Sequence, residues 1–240
     1  MTAPLRRSRE ILAEEGPGTL LTKGMEFALV NTRVGDSFRL QLSNRQLSSR
    51  MDEEDGLSDI LDTVLTVNPG IPPYQVKAMQ IRDELETLAE IVADHDPQTV
   101  LEIGTAKGGT LYTWARYIQS ISDIVSIDLP GGEFGGGYYE NSASFYRNFD
   151  QSIDMDFIRA NSHDEATLER AQSVVETQMP GDGIDFFFID GDHTYDGVKQ
   201  DFEMYKELVR DGGIIAFHDI VHHPDDEEIV AQRRRDRPDL

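Results

Sequence analysis

Across 240 residues, 45 acidic side chains face 22 basic ones for a net charge of −23, and there is no cysteine. A field of that sign repels phosphate backbones and anionic head groups, so nucleic acid and membrane are disfavoured as partners. The missing cysteines exclude a disulfide framework, a thiolate metal site and a cysteine nucleophile.

The length suits one catalytic unit with an appendage better than two full domains. Only five lysines are present: Lys23, Lys77, Lys107, Lys199 and Lys206. Acidic, lysine-poor surfaces of this kind resemble those of halophilic proteins, in which salt screens the self-repulsion; an acidic mesophilic protein is the alternative. No run reaches the ~18 apolar residues of a membrane span. Met1 to Glu15 is charged where a signal peptide would be apolar, so a cytoplasmic location is expected.

In chain order, the first fifteen residues read as a loose arm ended by Gly16, Pro17 and Gly18. Thr22 to Leu42 is apolar without a clean period, and with the charged stretch Arg50 to Asp55 it forms a small accessory region, giving an expected division at 1–73. After the break at Asn68 to Pro73, a helix is predicted over Tyr74 to Asp94, with Val76, Met79, Ile81, Leu85, Leu88, Ile91 and Val92 as its stripe. Five short apolar runs follow: Thr99 to Ile103, Asp123 to Ile127, Asp156 to Ile158, Ile184 to Ile189 and Gly213 to Phe217. Helix-length stretches separate them, the first being Thr110 to Ile121. The expectation is an α/β fold, Rossmann-like and doubly wound, with a mostly parallel sheet over 74–220, a small N-terminal accessory region and a charged tail at 221–240.

The first run leads into Glu102-Ile103-Gly104-Thr105-Ala106-Lys107-Gly108-Gly109. Such glycines allow a ligand to approach the backbone. Thr105 and Ala106 fall where a nicotinamide fingerprint wants its central glycine, and Glu102 would repel a pyrophosphate. That acid suits a cofactor with a cationic amino-acid moiety; a tight turn without ligand is the other reading. Asp128, 24 residues beyond Gly104, ends the second run, where an acid either accepts from both ribose hydroxyls or caps its loop.

These strings, with Phe188-Ile189-Asp190-Gly191-Asp192-His193-Thr194-Tyr195, resemble class I S-adenosylmethionine-dependent methyltransferases. Within that class they are similar to the branch holding the cephalosporin-biosynthesis and macrolide sugar O-methyltransferases. The resemblance runs from about Val76 to Asp219. It implies an enzyme that moves a methyl group by direct displacement onto a small-molecule or saccharide hydroxyl. Glu102, Gly104, Thr105, Gly108 and Asp128 would line the cofactor site, with Ser162, His163 or Asp164 near the adenine.

Asp190 and Asp219 end neighbouring strands and are placed to share one divalent cation, most naturally Mg2+, or else to cap loops. The ion would orient an acceptor hydroxyl and lower its pKa. His193 is either the base for that hydroxyl or a turn residue. The branch carries an acid just before its second metal-ligating Asp, where this chain has His218, and imidazole is a poor magnesium ligand. His222 and His223 read as loop residues. Gly131 to Tyr139, rich in glycine and aromatics, is a lid or an ordinary surface loop.

Two rivals stand beside this reading: a nicotinamide-dependent reductase, and a non-catalytic cofactor-binding assembly protein in which the N-terminal region mediates association. A homo-oligomer is compatible with either. Class I enzymes usually continue past the fifth strand, but Asp219 to Leu240 offers only Val221, Ile229 and Val230 as apolar material. Either the chain is truncated or the sheet is completed differently.

Overall fold

The computed structural model describes residues 32–131, 137–139 and 141–218. Asp219, His222, His223, the arm, the tail and 132–136 of the expected lid lie outside the described residues. The described residues separate into two compact units, the first from 32–90, 107–117 and 139–151, the second from 91–106, 118–138 and 152–218.

In the first unit, helix α1 spans Arg33–Met51, its N-terminus capped by the Thr32 hydroxyl, which accepts from the Gly35 N–H at 3.1 Å. Helix α2, Leu57–Asp62, runs into a π-turn, Thr63–Val67, that Asn68 ends with a left-handed φ of 50°. Strands β1, Gly70–Ile71, and β2, Tyr74–Gln75, form a two-stranded hairpin. The predicted helix from Tyr74 therefore begins only at Arg82, as α3, Arg82–Ala93. Backbone pairing explains the correction: Tyr74 and Gln75 pair with Ile71 and Gly70, while the Val76 and Ala78 N–H groups donate to the carbonyls of Pro69 and Val64. Met79 and Ile81, counted in the helical stripe, are 65% and 49% exposed.

Helix α4, Gly109–Tyr117, is shorter than the predicted Thr110 to Ile121, and its residues from Gly109 to Ala115 are all buried. The almost fully buried Glu54 side chain accepts from the hydroxyls of Thr63 (2.6 Å) and Tyr112 (2.7 Å) and from Arg116 Nε (3.3 Å), so this acid is shielded by a complete set of donors. Burial pushes the Tyr112 hydroxyl far above its usual range. Helix α5, Ser142–Tyr146, adds Phe145 and Tyr146 to an aromatic cluster with Tyr74, Tyr112 and Phe149.

The second unit is built on five parallel strands in the order β5-β4-β3-β6-β7: β3 Thr99–Ile103, β4 Asp123–Asp128, β5 Asp154–Arg159, β6 Ile184–Ile189 and β7 Val209–Phe217. Helices α6, Glu165–Gln178, and α7, Tyr195–Tyr205, lie in the connections. This is the Rossmann-like α/β sheet expected. β5 and β7 extend beyond their predicted runs because polar residues and glycines, Asp154 and Asp156 around Met155 in β5 and Arg210 to Gly213 after Val209 in β7, break the hydrophobic signal at their starts.

Alternation sorts the side chains. Leu101 and Ile103, Val125 and Ile127, and Phe187 and Ile189 join Ala171, Val174, Val175 and Tyr205 in one buried core. Glu102 belongs to the opposite face of β3, level with Ser126 and Phe188. From β3 the chain steps outward to β4 and β5, then returns to place β6 on the other side of β3. Open α/β sheets bind ligands at that reversal, beyond the carboxyl ends of the strands.

Candidate active site

The reversal is closed by backbone. The Asp190 N–H, just past β6, donates to the Ile103 carbonyl at 2.8 Å, and the Gly104 N–H, just past β3, donates to the Ile127 carbonyl at 2.9 Å. Gly104 sits at φ +100°, and a Cβ there would fall 2.1 Å from the Asp190 carbonyl oxygen. The first glycine of the motif is required by this approach of two loops.

At the end of β4, Asp128 accepts from the Ala106 N–H (2.6 Å), from the Leu129 N–H (2.7 Å) and from the Gly137 N–H. Burial pushes its carboxyl above the usual range against the pull of these donors, and the Asp190 charge adds to the push. Glu102, fully buried, is two residues before Gly104. The Thr105 side chain is buried and its hydroxyl pairs with that of Ser126, leaving the backbone of Thr105 at the turn. Gly108 belongs to the first unit, where a Cβ would touch the Tyr146 and Phe149 rings, and a Cβ on Gly109 would strike the Ala78 backbone. The glycine-rich turn thus serves two purposes: Gly104 permits the meeting of β3 and β6, and Gly108 and Gly109 permit packing in the other unit.

Beyond β5, His163 Nε2 lies 3.2 Å from Asp201 Oδ1, and the Tyr205 hydroxyl donates to the Ser162 carbonyl at 2.8 Å. Burial pushes the Asp201 carboxyl up, while Ser162 and His163 pull it down and the Asp192 charge opposes them. Sequence reasoning missed Asp201. Its signal was present, since Gly197, Asp201 and Tyr205 recur every fourth residue along the buried face of α7 and one of the three is an acid.

Asp192 caps its own loop, accepting from the Thr194 N–H at 2.8 Å, with Gly197 packed on its carboxylate. Asp190, by contrast, gathers imidazoles: His218 Nδ1 is 3.0 Å from Asp190 Oδ1, and one donor atom from each of Asp190, His193 and His218 lies within 4.8 Å of the others. Asp190 and His218 are half-buried and His193 is exposed. Asp219, the other expected ligand, is outside the described residues. The donors that the described residues bring together are one carboxylate and two imidazoles, a set that does not fit magnesium, which prefers oxygen.

A parallel sheet with a glycine turn and paired acids at its reversal defines a Rossmann-like α/β domain. Residues 101–220, half of the chain, match the family model described as a methyltransferase domain, and the chain belongs to that family. An uncharacterized protein of Acanthamoeba polyphaga mimivirus is 36% identical over 138 residues, which are 56% of this chain and 57% of that protein. The chain thus spans little more than half the length of this relative. Among solved structures, an O-methyltransferase from Bacillus cereus in complex with SAH is 20% identical with a TM-score of 0.43, over 68% of this chain and 66% of that one. The SAH-bound methyltransferase PaMTH1 of Podospora anserina is 16% identical with a TM-score of 0.45, over 72% and 68%. Among the described residues, no helix is long and apolar enough to cross a membrane.

Proposed function

We propose that this chain transfers a methyl group from S-adenosylmethionine to a hydroxyl of a small molecule or sugar, the acceptor class of the branch its motifs resemble. The observation carrying the reading is the pair of acids flanking the strand reversal, Glu102 on β3 and Asp128 at the end of β4, either side of the Gly104 turn. A carboxylate at Glu102 suits the ammonium of an amino-acid moiety. At Asp128 each oxygen has lone pairs beyond those its backbone donors use, and these suit two ribose hydroxyls. His163, oriented by Asp201, and Ser162, held by Tyr205, border the adenine in this reading. The acids that fit this cofactor discriminate against a pyrophosphate, which would meet Glu102 as a like charge.

When bound, the cofactor would supply an electrophilic methyl on a sulfonium, with sulfur as the leaving group for displacement by the acceptor oxygen. The chain positions the acceptor oxygen and removes its proton, and most of the rate comes from that positioning. In this reading the acceptor loses its proton beside the cluster of Asp190, His193 and His218, with His193 as its base in the ion-free chain.

Calorimetry of the full chain with S-adenosylmethionine and its demethylated product tests the binding half, and both are expected to give saturable heat. Incubation with methyl-labelled donor and a cell extract tests the transfer half, with label expected on a small hydroxylated compound. No heat with either cofactor form overturns the proposal; heat without any transfer reduces it to cofactor binding.

A further inference from the structure

We propose that Asp190, His193 and His218 bind one divalent ion of the imidazole-preferring transition series, such as Zn2+ or Co2+, in preference to Mg2+. The three donors come from two adjacent parallel strands that pair to their last residues, Ile189 opposite Phe217. Backbone bonds fix both anchor points: the His218 N–H donates to the Ile189 carbonyl at 3.0 Å and the Asp190 N–H to the Ile103 carbonyl at 2.8 Å. Two ligands of a common tetrahedral ion, each ~2.1 Å from it, stand about 3.4 Å apart. The 3.0 Å between His218 Nδ1 and Asp190 Oδ1 is within about half an ångström of that separation. His193 completes the set from an exposed position, and the 4.8 Å limit on the donor separations leaves it only a short way to move.

Charge favours a cation here as well, because the Asp190 carboxylate adds to the electrostatic cost at Asp128 and an ion at Asp190 would relieve it. Selectivity follows from donor chemistry: two imidazoles with one carboxylate suit zinc, cobalt, nickel or iron, whereas magnesium seeks oxygen and keeps its water. An acid in place of His218, as the resembled branch carries, would reverse that preference. The ion site rests on the three side chains alone; its use to polarise an acceptor hydroxyl rests on the methyl-transfer reading.

The test uses the full chain, stripped by chelator and titrated with Co2+ while the visible ligand-field absorption is recorded, with Zn2+ followed in parallel by equilibrium dialysis. One equivalent of each is expected, and Mg2+ in large excess is expected not to displace either. His218→Ala should weaken Co2+ binding by roughly 100-fold and His193→Ala by about 10- to 100-fold, since even outer-shell changes at metal sites cost that much. Far-UV circular dichroism of each variant guards against misfolding. His218→Glu is the second arm, and it should let Mg2+ compete with Co2+ where the parent does not. Absent cobalt bands, bands unchanged in both alanine variants, or Mg2+ displacing Co2+ from the parent at comparable concentration would overturn the inference. Calorimetry of the stripped protein with S-adenosylmethionine separates this failure from failure of the methyl-transfer reading, because cofactor heat should persist without any metal.

Discussion

The two edges of the parallel sheet treat an aspartate in opposite ways. At the edge where the strands begin, Asp185 Oδ2 accepts from the N–H groups of Gln98 (2.7 Å) and Thr99 (2.9 Å), and Oδ1 pairs with Arg210. Burial alone would raise its carboxyl, but Arg210 and these donors outweigh it and hold the group below the usual range. Where the strands end, Asp128 has three backbone donors, yet burial and the nearby Asp190 charge prevail and its carboxyl is raised. The described groups that act on it are backbone N–H groups and another acid. An acid answered by a cation ties strands together; an acid whose charge still lacks compensation is kept for something that arrives.

The comparison can be broken most forcefully at Gly104. Alanine there must hold φ near +100° and drive its Cβ into the Asp190 carbonyl. We expect Gly104→Ala to cost about 3 kcal/mol or more in denaturant unfolding, from the combination of a left-handed β-carbon and a backbone clash. A variant as stable as the parent would show that β3 and β6 do not meet as described.

Asp128→Ala comes next. It should lower S-adenosylmethionine affinity by roughly 100-fold, or about 2.7 kcal/mol, because the bonds a carboxylate makes to two hydroxyls are charge-assisted. Stability should change little, since the carboxylate gives up a desolvation cost along with its backbone bonds. Calorimetry and chemical denaturation measured on one preparation would separate the two effects.

Asp185→Ala should do the reverse, costing about 2 kcal/mol of stability at neutral pH with cofactor affinity intact. The sign with pH follows from the lowered carboxyl. Its contribution is present above the unfolded value of ~3.9 and is lost as pH falls through the folded one, so parent and variant should converge in acid. Unfolding curves whose separation holds constant down to acid pH would contradict the assigned pairing.

Much of the second unit could be read in the sequence because its strands are buried on both faces. Thr99 to Ile103 and Ile184 to Ile189 have the predicted bounds, being apolar runs broken only by one acid each, Glu102 and Asp185. Polar residues hid the rest: Asp154 begins β5, paired with Asp123, and in β7 an irregular stretch, Arg210 to Gly213, separates Val209, opposite Ile184, from the apolar run that starts at Ile214. Val76, Met79 and Ile81 imitated a helical stripe because spacing cannot say which amides are already taken by Pro69 and Val64. At the site, the spacing of Asp190 and His193 was visible, and so was the histidine in place of an acid at 218. Their convergence was not, because it depends on the register of β6 against β7.

The smallest expected effect probes how the two carboxylates at the strand ends feel one another. If ribose hydroxyls prefer the ionised form of Asp128, cofactor affinity should fall as pH drops through its raised value, by at most about tenfold per pH unit, with an onset above the ordinary ~3.9. Repulsion from Asp190 contributes to that elevation. Asp190→Asn should therefore move the onset to lower pH, with the affinities of the two proteins converging as pH rises. Calorimetry from about pH 4 to 7 would resolve the shift. An unmoved onset would mean that desolvation alone raises Asp128, and the electrostatic link between the cofactor acid and the imidazole-bearing cluster would have to be abandoned.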